Sequence, residues 1–150
     1  MRRSGVARAG RLVSARTVLA GLLGAMALGQ ASDLDGFEAA LAGYRVVPGT
    51  LLDPAAKLMV GLEAVAAVAL LRRWRGGEVL AVTAAVVWST AGVVAFARGL
   101  SLQNCGCFGT HLQQPLRWWI LVEDAEFVAL AGWVFLQARR RAGVPAPAAA

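Results

Sequence analysis

Cysteine and histidine are scarce in this sequence, with only two cysteines and one histidine among 150 residues. Structural zinc usually takes four ligands, whereas Cys105, Cys107 and His111 make three. The Cys-x-x-Cys-His pattern of haem attachment is absent. A second cysteine pair, which four-helix quinone-linked thiol oxidases typically use to shuttle electrons, is absent as well. We therefore expect no metal and no cofactor, with a bound quinone as the weaker alternative.

Acidic residues are also few, nine against fifteen lysines and arginines, which leaves a net charge of +6. The basic residues are not spread along the chain, and this uneven distribution argues against nucleic acid as a partner. They form three clusters with apolar segments between them: Arg2, Arg3, Arg8, Arg11 and Arg16; Arg72, Arg73 and Arg75; and Arg139, Arg140 and Arg141.

Hydrophobic residues, by contrast, make up 58% of the chain, above the roughly 45–50% of soluble domains. The sequence predicts an all-α integral membrane protein, a four-helix bundle over residues 12–138 with the lipid bilayer as its surroundings. The predicted spans are 12–31, 51–71, 79–97 and 117–137. A basic segment, 1–11, precedes them, and residues 139–150 follow as a basic stretch and then a Pro/Ala-rich tail. The Pro/Ala-rich part, 144–150, is predicted to be disordered.

Two segments near the start of the chain need separate comment. The basic leader, the apolar stretch and the ending Gly29-Gln30-Ala31 also resemble a cleavable signal peptide, but we favour an uncleaved span because other spans follow. After it, apolar side chains recur at helical spacing and predict a short amphipathic helix over 36–44 on the membrane surface. These side chains are Phe37, Ala40, Leu41 and Tyr44.

The arginine clusters predict the orientation. In a chain with four spans, all three clusters fall on one side of the membrane, which the positive-inside bias assigns to the cytoplasm. We therefore expect a multi-pass protein of the cell membrane with both termini in the cytoplasm. The loop over residues 99–117 is then external, and its thiols face a compartment where disulfides form and persist.

That loop carries the run Gln103-Asn104-Cys105-Gly106-Cys107-Phe108-Gly109. A disulfide across one residue closes a small ring, and Gly106 best tolerates the backbone angles such a ring needs. The bond would be strained, and strained disulfides exchange easily with a partner thiol. Because such a short loop contributes little stability, we predict a redox-active pair, with a structural bond and a metal site as alternatives.

Several charged residues are candidates for supporting roles. His111 and Arg98 flank the pair and could favour a thiolate, although a solvated histidine is the plainer interpretation. Glu63 lies within the second span, so we predict a buried carboxyl that acts as a proton carrier or, alternatively, as a hydrogen-bonded structural group.

The acids of the fourth span are Glu123, Asp124 and Glu126. They are candidates for relaying protons, for pairing with basic side chains or for polar helix packing. The basic candidates for such ion pairs are Arg98, Lys57 and Arg117. Three glycines of the first span are predicted to be close-packing surfaces of the bundle: Gly21, Gly24 and Gly29.

Four stretches carry a resemblance to a known family: Tyr44-Arg45-Val46-Val47-Pro48, Glu63, Arg98-Gly99 and Asn104-Cys105-Gly106-Cys107-Phe108-Gly109. Over residues 17–137 the chain resembles the MauE/DoxX-like redox-associated membrane proteins, whose typifying member is the methylamine-utilisation protein MauE. The resemblance implies a four-helix membrane bundle, a thioredoxin-like partner outside the membrane and a client protein that needs disulfides. In the typifying member, that client is the small subunit of methylamine dehydrogenase.

Together, the cysteine pair and the resemblance predict a thiol-disulfide redox protein that supports the maturation of exported proteins. Cys105 and Cys107 would be the redox pair. Residues of the same run would support them: Asn104, Gly106, Phe108 and Gly109. The alternative from another class is a non-enzymatic membrane anchor or assembly factor, in which the Cys-x-Cys bond only fixes a loop that a partner binds.

Overall fold

Helices make up all of the regular secondary structure in a computed structural model of the chain, which describes residues 2–142 and the side chains of residues 15–141. These residues contain no strand, which confirms the all-α prediction. The elements in order are α1 (Arg2–Ala31), α2 (Leu34–Gly43), a 3-10 helix (Gly49–Leu51), α3 (Leu52–Arg72), α4 (Gly77–Ala97) and α5 (Trp118–Ala142). The side chains of the basic segment 1–11 lie outside the described part, and so does the Pro/Ala-rich tail 144–150 that is predicted to be disordered.

Two helices of the described residues are long and apolar enough to cross a membrane. They are Gly49–Arg72, which joins the 3-10 helix to α3, and α4, and they correspond to the predicted second and third spans. Ala15–Ala31 and α2 qualify only as one broken span, bent by 101°. α5 does not qualify, because acids in its first half and arginines in its last turn interrupt the apolar stretch. The membrane character is confirmed, and the count of four spans is not.

The helices pack in chain order around a core of small side chains. α1 contacts α3, α3 contacts α4, α4 contacts α5, and α5 in turn contacts α1. Alanines such as Ala66, Ala84 and Ala131 are fully buried where the helices meet, and small residues let helices approach closely in membrane proteins. Gly24 has this role, since a Cβ there would lie 3.9 Å from the Cβ of Ala67.

The other two glycines of the predicted packing surface behave differently. A Cβ at Gly21 would meet no atom within 4 Å, so the prediction of a packing role is wrong there. A Cβ at Gly29 would lie 2.5 Å from the carbonyl oxygen of Phe108, so Gly29 packs against the cysteine loop and not against another helix.

The short helix α2 was predicted from its apolar face, and the structure confirms the helix. Asp33 caps its start by accepting a hydrogen bond from the amide of Gly36 at 3.0 Å. Phe37 and Tyr44, from the predicted apolar face, are 0% and 2% exposed, and α2 packs mainly on α3. Phe37 and Tyr44 of the apolar face are therefore buried within the protein, and the position of α2 on the membrane surface stays a prediction.

The bundle has two chemically distinct ends. The turn between α3 and α4, which ends at Gly76 with a φ of +91°, brings its arginines beside Arg16 and the last turn of α5. We call this the basic end. Gly29 lies thirteen residues further along α1, so the cysteine loop that packs against it sits about 20 Å away at 1.5 Å per residue. We call that side the cysteine end.

Candidate functional site

Cys105 and Cys107 lie side by side at the cysteine end. Both are free thiols, and their Sγ atoms are 3.4 Å apart and share a hydrogen bond. Cys105 is 2% exposed, whereas Cys107 is only partly buried. Within the described residues, no cluster of three or more histidine, cysteine or acidic side chains could hold a metal ion. The two sulfurs are thus placed for chemistry with each other.

The shared hydrogen bond makes the two thiols unequal. It lowers the pKa of Cys105, because a neighbouring S–H stabilises the Cys105 thiolate. The pKa of Cys107 is raised well above its ordinary value, first because of the same hydrogen bond and then because of burial. These two directions favour the thiolate form at Cys105.

The turn around the sulfurs is shaped by its own residues. The side chain of Asn104 accepts a hydrogen bond from the amide of Gly106 at 3.0 Å and donates one to the carbonyl of Gly109 at 2.8 Å. Gly106 and Gly109 have φ values of +81° and +67°, a region that glycine adopts readily and other residues rarely do. The unusual backbone angle predicted for Gly106 is present, and Gly109 has one as well. The disulfide ring that these angles would allow stays a prediction.

Side chains from distant parts of the sequence seat the turn in the bundle. The hydroxyl of Tyr44 donates a hydrogen bond to the carbonyl of Cys105 at 2.7 Å, and the amide of Gln30 donates one to the carbonyl of Cys107 at 3.0 Å. Burial raises the pKa of Tyr44, so its hydroxyl keeps its proton and remains a donor. The sequence does not predict these two hydrogen bonds. Tyr44 lies 61 positions before Cys105 and Gln30 lies 77 positions before Cys107, and no local pattern links residues so far apart.

Glu63 is buried beneath this site, as predicted. It is 0% exposed, and its Oε1 atom accepts a hydrogen bond from the indole of Trp88 at 2.5 Å. Trp88 also packs on the rings of Phe37 and Tyr44, with centroid distances of 6.1 and 6.4 Å. The Oε2 atom of Glu63 is buried and has no hydrogen-bond partner among the described residues. The carboxyl is connected to the cysteine turn through Trp88 and Tyr44, and its role as a proton carrier stays a prediction.

Arg98 contacts backbone at the end of α2. Its guanidinium donates to the carbonyls of Tyr44 and Arg45, each at 3.3 Å. Arg45 has a positive φ of 53°, so Arg98 binds the chain at an unusual turn. This contact gives Arg98 a role in positioning Tyr44, and its predicted effect on a thiolate stays a prediction.

His111 and its neighbour Thr110 tie the cysteine loop to the end of α1. The Nε2 atom of His111 lies 2.7 Å from the hydroxyl of Ser32, and Thr110 donates to the carboxylate of Asp33 at 2.7 Å. The hydrogen bond from Thr110 lowers the pKa of Asp33. These contacts fix the loop, and the predicted role of His111 at the thiols stays a prediction.

Among the side chains that the structure describes, the acids of α5 form none of the ion pairs that the sequence suggests for them. In residues 15–141 the salt bridges are Lys57 with Asp53 and Arg16 with Glu78. Lys57 meets an acid one turn earlier on its own helix, and the guanidinium of Arg117 lies 5.1 Å from the ring centroid of Trp119. Glu123 and Asp124 instead line a cavity.

This cavity, of about 200 Å³, opens beside Cys107. Its wall is mostly apolar, with Met26, Phe108 and Phe127 among its residues. Cys107 lines it and Cys105 does not, which matches the greater exposure of Cys107. A group that approaches the pair through the cavity therefore meets the sulfur of Cys107 first.

Comparison with known proteins gives the same family as the sequence motifs. The family model described as "Methylamine utilisation protein MauE" matches residues 9–137. The chain is 31% identical over 123 residues to the "Methylamine utilization protein MauE" of Paracoccus denitrificans, an alignment that covers 77% of this chain and 63% of the relative. No solved structure matches the chain significantly. With a match that extends over most of its length and includes both cysteines, the chain belongs to the MauE family of membrane proteins.

Proposed function

We propose that this protein is a membrane-embedded thiol-disulfide redox protein that exchanges electrons with a thioredoxin-like protein outside the membrane. The observation that carries the proposal is the 3.4 Å separation of two free sulfurs in a turn that other side chains hold in place. They are the only cysteines of the sequence, so any disulfide within the chain joins them. Through this exchange the protein would support disulfide formation in exported proteins.

The family name gives the proposal a pathway. Because the relative from Paracoccus denitrificans is a methylamine utilisation protein, we propose maturation of an enzyme of methylamine metabolism as the process served. Since the chain spans 63% of that relative's length, this assignment is part of the proposal.

The inequality of the two thiols assigns a role to each. Starting from the Cys105–Cys107 disulfide, a thiolate of the partner attacks the sulfur of Cys107, the cysteine that lines the cavity. The S–S bond breaks, and Cys105 leaves as a thiolate, which its lowered pKa favours because lower-pKa thiols leave faster. A mixed disulfide now joins Cys107 to the partner.

The second half of the reaction completes the balance. The partner's second thiol, as a thiolate, then attacks the partner's first sulfur, which is bonded to Cys107 in the mixed disulfide, and Cys107 is released as a thiolate. Two electrons and two protons have then passed from the partner's dithiol to the Cys105–Cys107 pair, and the partner holds a disulfide. The same intermediate forms when electrons flow in the opposite direction.

The orientation proposed for this exchange follows from the two ends of the bundle. Arginines from three parts of the chain meet at the basic end, and the positive-inside bias places such an end in the cytoplasm. The cysteine end then faces the external compartment of the cell membrane, where a thioredoxin-like partner and a client are available.

A second candidate function is the non-enzymatic anchor or assembly factor. The observation in its favour is the number of side chains that hold the turn, since Gln30, Tyr44 and Asn104 all bind its backbone. A turn held in this way presents a fixed surface to a partner whether or not the sulfurs react.

The reduction potential separates the two functions. Purified full-length protein is equilibrated in thiol-disulfide buffers of graded potential, and free thiols are counted by mass after maleimide labelling. A redox carrier has a potential well above about −300 mV, below which structural disulfides of secreted proteins usually fall. A potential below that value contradicts the redox proposal and favours the anchor.

A further inference from the structure

Five arginines surround a cavity at the basic end, far from the cysteines. The cavity has a volume of about 630 Å³ and lies between the start of the described part of α1, the turn between α3 and α4, and the last turns of α5. The arginines on its wall are Arg16, Arg73, Arg75, Arg139 and Arg141. Three separate parts of the chain thus contribute positive charge to one concave surface.

These charges are largely uncompensated. Glu78 is the one acid on the cavity wall among the described residues, and it pairs with Arg16 at 2.7 Å. Within that part of the chain, the remaining four arginines form no salt bridge. The cavity therefore carries a net positive charge and attracts an anion.

Arg16 carries a buried Nε atom for which the described residues provide no hydrogen-bond partner, although the Nη1 atom of the same guanidinium binds Glu78. An anion with several oxygens would supply acceptors to the guanidinium groups on the cavity wall. Guanidinium groups match the geometry of phosphate oxygens in particular.

The surroundings of the cavity favour a lipid as the source of the phosphate. Trp74 and Val79 lie on the wall and are 56% and 52% exposed, and Leu71, just before the turn, is 60% exposed. Exposed tryptophan is typical of the membrane interface, and an apolar surface next to a basic pocket suits an acyl chain below its head group. A soluble anion would gain nothing from these side chains.

We propose that the arginine cavity at the basic end binds the phosphate group of an anionic phospholipid. Basic pockets between membrane helices are known to take such head groups. The site is independent of the redox function, since it uses none of the residues around Cys105 and Cys107. It would fix the basic end at the inner surface of the membrane.

The test compares two pairs of arginines taken from the same two clusters. Arg73→Gln/Arg139→Gln removes two charges from the cavity wall, and Arg72→Gln/Arg140→Gln removes two charges whose side chains do not line it. Binding of phosphatidylglycerol, phosphatidylcholine and inorganic phosphate to the full chain in detergent is measured by native mass spectrometry and by thermal stabilisation.

We expect phosphatidylglycerol to bind and phosphatidylcholine to bind far more weakly. The cavity variant should weaken phosphatidylglycerol binding by about tenfold or more, since each lost charge-assisted hydrogen bond is worth at least that factor, while the matched variant should change it less than about threefold. Equal loss in both variants, or equal binding of the two lipids, overturns the proposal. Stabilisation by inorganic phosphate as strong as that by phosphatidylglycerol overturns the lipid as the source.

Discussion

Trp88 donates its indole N–H to the Oε1 atom of Glu63 at 2.5 Å, and Glu63 is 0% exposed at that position. The same tryptophan packs on Tyr44, which binds the carbonyl of Cys105. Glu63 and the cysteine turn are therefore two ends of one connected group of side chains. A substitution at Glu63 or Trp88 should therefore change the reactivity of the two thiols.

The first prediction concerns this pair. Trp88→Phe keeps an aromatic ring but removes the donor, so it should lower the free energy of unfolding by about 1–3 kcal/mol, measured by thermal or chemical denaturation in detergent. Trp118→Phe is the matched control, because Trp118 is 65% exposed. Equal destabilisation by the two variants would show that the hydrogen bond to Glu63 contributes nothing.

Glu63→Gln tests whether the carboxyl carries a proton. The amide keeps an oxygen that can accept from Trp88, so the variant should insert and fold normally. We expect the rate of thiol exchange to fall several-fold. The rate is measured by stopped-flow mixing with a reduced thioredoxin-like protein. An unchanged rate would leave Glu63 with a packing role only.

A third prediction uses two glycines of α1. A Cβ at Gly29 would lie 2.5 Å from the carbonyl of Phe108, whereas a Cβ at Gly21 would meet nothing within 4 Å. Gly29→Ala should therefore displace the cysteine turn, cost about 1–3 kcal/mol and make both thiols more reactive toward a maleimide. Gly21→Ala should leave thiol reactivity unchanged. If Gly29→Ala behaves like Gly21→Ala, the turn does not depend on this contact.

The pH dependence of the thiols gives a fourth prediction. Because the pKa of Cys105 lies below its ordinary value of 9.0 and that of Cys107 well above it, the reduced pair should lose one proton below pH 9 and the second far above it. Ultraviolet absorbance of the thiolate follows both steps. Cys107→Ser keeps a hydroxyl donor and should retain the low step, while Cys105→Ser should lose it. A low step that survives in Cys105→Ser would reverse the assignment.

Labelling of intact cells tests the orientation. After mild reduction, a membrane-impermeant maleimide should modify the wild-type protein and not the double Cys→Ser variant. Trp74→Cys in that double variant places a thiol at the basic end, where Trp74 is 56% exposed, and it should react only after lysis. The opposite pattern would place the cysteine end in the cytoplasm.

The sequence predicted the elements that depend on local pattern. The limits of α3 and α4 follow from apolar length and from the breaks at Asp53-Pro54 and Gly76-Gly77. The burial of Glu63 follows from its place inside an apolar stretch. The need for glycine at Gly106 follows from the spacing of the two cysteines.

What could not be predicted depends on contacts between distant residues. Nothing near Gln30 in the sequence indicates that it binds the carbonyl of Cys107. Trp88 is one of many apolar residues in α4, and the sequence does not show that it lies beside Glu63. The burial of Phe37 and Tyr44 against α3 could not be predicted for the same reason, because an apolar helix face has the same pattern whether it contacts lipid or protein. In α5 the helix is long enough to span a membrane, but its acids and arginines lower the hydropathy, so the fourth predicted span is not confirmed.

Trapping of the mixed disulfide tests the central claim most directly. Cys105→Ser, Cys107→Ser and the double Ser variant are each expressed, purified without reductant and analysed for covalent adducts by mass spectrometry. The account predicts that the Cys107 thiolate of Cys105→Ser attacks the disulfide of an oxidised thioredoxin-like protein and releases the partner's other sulfur as a thiolate. Because this variant lacks the Cys105 thiol that would resolve the mixed disulfide, it should accumulate an adduct that reduction removes, whereas Cys107→Ser and the double variant should not. If neither single variant traps a partner and the double variant still supports maturation of the client, the cysteines do not carry electrons.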